Sequence, residues 1–252
     1  MTAVQGTAVD IRTEDGIADA YLVHPEDGGP HPAVLLFMDA FGPRPGLRSM
    51  ADRLAAAGYT VLLPNVLHRD GRAPVVELPA FIDDEARPRL FRRLAPLVLA
   101  LTPDAAMGDA DAFLRYLADC PAAADGPVAL VGYCMGAQLA LYTAGTHPDR
   151  VAAVAGFHGA RLATELPDSP HLLAHRITAE VYFGQAENDS AEELERLDKA
   201  LTEAGVRHRC EVYPGTQHGY TQADTSAYHE EGDRRHWAAL LDLLSRTFRQ
   251  LR

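Results

Sequence analysis

The chain has 252 residues, 47% of them hydrophobic, and 23 Lys+Arg against 35 Asp+Glu for a formal charge of −12, enough apolar material for a single α/β domain over 1–252 and a charge that repels nucleic acid and anionic membrane surfaces. The opening "MTAVQGTAVDIRTEDG" lacks the basic flank and apolar run of a signal peptide, and no apolar stretch reaches the roughly 18 residues of a membrane span, so a soluble cytoplasmic protein is expected. The three cysteines, Cys120, Cys134 and Cys210, are scattered with no CxxC pair, which speaks against a disulfide framework and a thiolate zinc site.

In chain order, "TAVDIRT" and "ADAYLVHP" alternate apolar and polar residues around the turn formers Asp15 and Gly16 and predict an opening antiparallel hairpin. "AVLLFMD" is a buried-strand run, "PGLRSMADRLAAAG" an amphipathic helix closed by Gly58, "YTVLLPN" a strand and "DAAMGDADAFLRYLADC" a helix. "PVALVGYC" and "MGAQLALYTAG" repeat the strand-helix unit. "VAAVAGFHG" follows, then "AEVYFGQA" with the helix "SAEELERLDKALTEAG", and "HRCEVYPG" with a helix to Arg252. Strands apolar on both faces and joined by helices predict a mostly parallel, doubly wound sheet. Two Pro-rich segments interrupt the rhythm: 71–103, a solvated excursion or a flap over the site, and "ARLATELPDSPHLLAHRI".

Chemistry in open parallel sheets gathers at the carboxyl ends of the strands, where Cys134 falls. A nucleophile on a tight strand-to-helix turn needs small neighbours two residues to either side, and "GYCMG" supplies Gly132 and Gly136. The pentapeptide reads as a nucleophile elbow with sulfur in place of oxygen, the amide of Met135 opening the next helix as an oxyanion donor. The competing reading is a buried cysteine between packing glycines.

A thiol needs a base, and the base an orienting acid; in this type of sheet they follow the nucleophile in the order acid, then histidine. "VYFGQAENDS" ends a strand in an acidic loop holding Glu187 and Asp189, and "VYPGTQHGY" ends the next in a turn bearing His218. Asp189 is the preferred acid and Glu187 the competitor; Asp189 also stands where a helix cap is common. His158 ends the strand "VAAVAGFHG" but precedes the acidic loop, which makes it a pocket wall rather than the base. Most other histidines, His236 among them, read as surface or half-buried spectators.

With "GYCMG", "GQAENDS" and "PGTQHGY" assembled, and with "VLLFMDAFG" and "MADRLAAAGYTVLLPNVLHRDG" upstream, the chain resembles the dienelactone hydrolase family of α/β-hydrolases over nearly all of its length after the hairpin. The resemblance implies an α/β-hydrolase fold and a Cys134-Asp189-His218 triad that works without metal or organic cofactor. It further implies a second oxyanion amide at Ala40, and Asp39 where the family carries a glutamate that holds the resting thiol. Of the family's two carboxylate-binding arginines, Arg69 matches the first; the second position is Gln222.

The expected activity is hydrolysis of a small activated ester or lactone by a monomer or small homo-oligomer. Two other classes stand beside it. A non-catalytic α/β-hydrolase relative that binds small molecules is argued against by the complete triad, and a nucleotide-binding doubly wound protein lacks G-x-G-x-x-G.

Overall fold

A computed structural model of the chain describes residues 2–250, and the chain gathers into two compact units that divide after Val128. In the first unit, β1 (Val4–Thr13) and β2 (Gly16–Pro25) form the expected antiparallel hairpin, with Thr13 opposite Gly16. β2 pairs antiparallel with β4 (Thr60–Pro64), and β3 (Ala33–Phe37) pairs parallel with β4. The order is β1-β2-β4-β3. Every residue of β3 and β4 is buried, as continuous apolar runs require.

Helix α1 (Pro45–Ala56) starts at a proline, whose missing N–H costs nothing in the first turn, and buries Leu47, Met50, Ala51, Leu54 and Ala55. The chain leaves it through Gly58 at φ 101°, a conformation that glycine adopts without a Cβ penalty. Helix α3 (Pro103–Ala118) is capped by the Thr102 hydroxyl, which accepts the Ala105 amide at 3.3 Å.

The segment 71–103 is more ordered than its prolines suggest. It contains helix α2 (Ala86–Ala100), with Pro96 inside it. Val76, Ile82, Leu90 and Leu94 from this segment form one apolar cluster with Phe41, from the turn after β3. Leu90 and Leu94 stand one helical turn apart on the same face, which is why the helix forms despite its prolines.

In the second unit the order is β5-β6-β7-β8, made of β5 (Val128–Tyr133), β6 (Val151–Phe157), β7 (Glu180–Ala186) and β8 (His208–Tyr213). β7 runs parallel to both β6 and β8. With the antiparallel pairs of the hairpin, the strands are mixed in direction and mostly parallel. Helix α4 (Met135–Thr146) is buried almost all round. Helix α5 (Ala191–Glu203) presents Leu194, Leu197 and Leu201 to the core, and α6 (Glu230–Gln250) closes the described chain, the predicted extension to Arg252 lying outside the described residues. Among the described residues no helix is long and apolar enough to cross a membrane.

Candidate active site

β5 ends in Tyr133 and α4 begins at Met135, leaving Cys134 alone to turn the chain, at φ 55° and ψ −117°. That is a left-handed φ on a residue with a side chain, a conformation that persists only where its surroundings enforce it. Gly132 shows how tight the turn is. A Cβ there would lie 2.1 Å from the Gly136 oxygen and 2.5 Å from the Ala137 nitrogen, so no other residue fits without moving the start of α4. The Cys134 amide donates to the Phe157 carbonyl at 3.2 Å, and its carbonyl accepts from Ala137 at 3.2 Å and from Ala160 at 3.3 Å. Met135 is the first residue of α4, where the helix presents unpaired amides and the positive end of its dipole.

His218 stands in the turn after β8, and its Nδ1 lies 2.7 Å from Oδ1 of Asp189. The other carboxylate oxygen of Asp189 accepts the Ala186 amide at 2.8 Å, which anchors the acid at the end of β7. Helix capping falls to Ser190, whose hydroxyl accepts the Glu193 amide at 3.2 Å. Glu187 is engaged elsewhere, accepting the Gly215 amide at 2.8 Å.

Asn188, between the two acids, was not singled out from the sequence. Its Oδ1 accepts the His218 amide at 2.7 Å and so ties the histidine turn to the acidic loop. The only available signal was an amide side chain inside the run "AENDS".

Burial alone would disfavour a charged His218. Electrostatic interaction with Cys134, hydrogen bonds to Asp189 and Cys134, and the charge of Asp189 outweigh it and push the imidazole up to about 10. Cys134 and Asp189 each act directly on His218. Cys210, by contrast, is pushed up to about 12 by burial and by Asp198, which keeps it a neutral thiol.

His158 is fully buried at φ 39°. Its ring packs edge-on against that of His218, centroids 5.1 Å apart, and its Nε2 pairs with the Thr221 hydroxyl at 2.8 Å. Ala40, Asp39 and Arg69 lie in the first unit. Ala40 is buried in the turn after β3. Asp39 beside it is buried with both carboxylate oxygens on Arg44, at 2.8 and 3.0 Å, and Oδ1 also accepts the Phe41 amide at 2.9 Å. Arg69 is already paired: Asp15 takes its Nε and Nη2 at 2.9 and 2.6 Å, and Asp109 takes Nη1 and Nη2 at 2.6 and 3.0 Å. Gln222, in the second unit, is buried, its amide donating to Thr221 at 3.0 Å.

Known proteins resemble this chain over most of its length. A "Putative carboxymethylenebutenolidase" of Methylorubrum extorquens is 26% identical over 242 residues, covering 93% of this chain and 78% of its own. A "Carboxymethylenebutenolidase" of Rhodococcus opacus is 27% identical over 213 residues, covering 83% and 78%. Among solved structures, a putative dienelactone hydrolase from Klebsiella pneumoniae superposes with a TM-score of 0.83 over 97% of this chain and 99% of that one, at 22% identity, which places the present chain in the α/β-hydrolase fold. The sequence profile described as "Dienelactone hydrolase family" matches residues 18–248, from the second hairpin strand to the last turns of α6, and the chain belongs to that family.

Proposed function

We propose that the protein hydrolyses a small activated ester or lactone through an acyl-thioenzyme on Cys134. The observation that carries this reading is the juxtaposition of a cysteine forced onto a left-handed turn with a histidine that it hydrogen-bonds and interacts with electrostatically, the histidine being held from behind by Asp189.

Asp189 accepts a hydrogen bond from Nδ1–H of His218 and leaves Nε2 to serve the thiol. His218 takes the Cys134 proton, sulfur attacks the substrate carbonyl, and the C–S bond forms as the carbonyl π pair moves to oxygen, where the Met135 amide receives it. Collapse expels the alkoxide or enolate, which recovers the proton from His218. Water, deprotonated by the same histidine, then cleaves the thioester and regenerates the thiol. A thioester formed from a simple alkyl ester can hydrolyse slowly, whereas an enol-lactone opens to a tethered enolate able to assist its own release; activated esters and lactones are therefore favoured.

The bonds from Arg69 to Asp15 and Asp109, and Gln222 at the second arginine position, support an uncharged ester or lactone over one bearing a carboxylate. The test is hydrolysis of p-nitrophenyl acetate by Cys134→Ala, Cys120→Ala and Cys210→Ala. Loss in the first and retention in the other two is expected; parent-like turnover by Cys134→Ala would refute the proposal.

A further inference from the structure

His236 is fully buried on α6, and it touches both residues that hold Cys134. Its Nε2 hydrogen-bonds the Tyr133 hydroxyl at 2.9 Å, and its Nδ1 lies 3.0 Å from Oδ1 of Asp233. The ring also stands edge-on to Phe157, centroids 4.3 Å apart, and edge-on to Tyr133 at 5.6 Å. Tyr133 is the residue before Cys134 in the chain, and Phe157 supplies the carbonyl that accepts the Cys134 amide at 3.2 Å.

The chemistry of this chain of groups has one direction. The Asp233 carboxylate only accepts, so Nδ1 carries the ring proton, Nε2 is the acceptor, and the Tyr133 hydroxyl donates to it. Asp233 is itself held, its Oδ2 accepting the Tyr228 hydroxyl at 3.3 Å. A phenylalanine pair would fill the same space, and burying three polar groups gains stability only if all are satisfied. What the polar chain adds is a fixed rotamer for Tyr133 and a fixed seat for Phe157.

The geometry points to His236 as a positioning residue for the nucleophile: oriented by Asp233, it locks Tyr133 and Phe157 and thereby keeps Cys134 at its left-handed φ, with the sulfur aimed at His218. This rests on Cys134 being the nucleophile. The elbow backbone is strained, and rotation of the 133–134 peptide would relieve it. A rigid residue on the amino side and a rigid carbonyl acceptor oppose that rotation, and small misplacements of a reacting atom are costly in rate.

The double variant Tyr133→Phe/His236→Phe removes both ends of the Tyr133–His236 bond together, and the Asp233 carboxylate that loses its His236 donor keeps the Tyr228 hydroxyl and is 14% exposed. Thermal midpoint, kcat and KM for p-nitrophenyl acetate, and the rate of iodoacetamide alkylation read on the Cys134 peptide are compared with the parent. A melting point within a few degrees of the parent and KM within about twofold are expected, while kcat and Cys134 alkylation each fall about tenfold or more. Asp233→Ala, in a side chain already 14% exposed, should lower both rates in the same direction by a smaller factor, and decides the matter if the double variant does not fold. Parent-like kcat and alkylation in the folded double variant, or in Asp233→Ala when only that variant folds, overturns the proposal. Alkylation reads the sulfur without any hydrolysis, so this failure is distinct from failure of the nucleophile assignment, which retained hydrolysis by Cys134→Ala would reveal.

Discussion

Asp189 and Glu187 are two residues apart in one loop and face different partners: Asp189 meets the His218 ring at 2.7 Å, and Glu187 accepts the Gly215 amide at 2.8 Å. The first contact sets a tautomer; the second braces a turn. Asp189→Asn presents an amide where the ring needs an acceptor and should lower kcat by roughly 10⁴-fold, as the corresponding change does in a serine protease. Glu187→Gln keeps an acceptor for Gly215 and should change kcat less than about threefold, since a neutral hydrogen bond of similar geometry replaces it. Steady-state kinetics on the two variants read the difference, and the reverse ranking would move the acid to Glu187.

The same ring gives a titration to follow. His218 is raised from 6.5 to about 10, with its electrostatic interaction with Cys134 the largest of the contributions that raise it. Cys134→Ala removes that interaction, so the ring should titrate at lower pH, which side-chain nitrogen NMR measures directly. A raised folded value favours the imidazolium. Its contribution to stability is complete below the unfolded value of 6.5, declines above it, and is lost as pH passes about 10. The stability difference between parent and His218→Ala should shrink across that window, and an unchanged His218 titration in Cys134→Ala would contradict the coupling.

The Asp39–Arg44 pair is buried on both sides, with side chains 5% and 4% exposed. Removing one partner strands the other charge. Arg44→Met should cost about 3–5 kcal/mol in urea unfolding, and Asp39→Leu/Arg44→Met should recover only part of it, because the Phe41 amide still loses its acceptor. A loss below about 0.5 kcal/mol, the scale of an ordinary surface change, would show that the pair does not brace the turn.

Two glycines should respond in opposite senses to alanine. At Gly132 a Cβ collides with the backbone of Gly136 and Ala137, so Gly132→Ala should lower both the melting point and kcat. Gly108 is exposed in the middle of α3, with nothing within 4 Å of where a Cβ would sit. Its replacement by alanine should gain about 0.5–1 kcal/mol, with kcat unchanged. Differential scanning calorimetry with parallel kinetics separates the two.

What could be read from the sequence was what is encoded locally. The hairpin turn, the strand-to-helix glycines around Cys134 and the acid-then-histidine order all lie in short windows, and the structure brings Cys134, Asp189 and His218 together. Helix α2 was obscured because Pro88, Pro96 and four arginines overwrite the spacing of Leu90, Leu94 and Leu97. The partners of Arg69 were invisible for another reason: Asp15 and Asp109 lie 54 and 40 residues away, and only the folded chain brings them to one guanidinium. His236 looked like a spectator because neither Tyr133 nor Phe157 is its neighbour in sequence.

Mass spectrometry of enzyme acid-quenched during turnover of p-nitrophenyl acetate tests the central claim most directly. The account predicts one acetyl group on the peptide containing Cys134, in amounts that grow in Asp189→Asn if deacylation slows more than acylation, and no label at that position in Cys134→Ala. An acetyl group carried by another residue during productive turnover, with Cys134 unmodified, would contradict it.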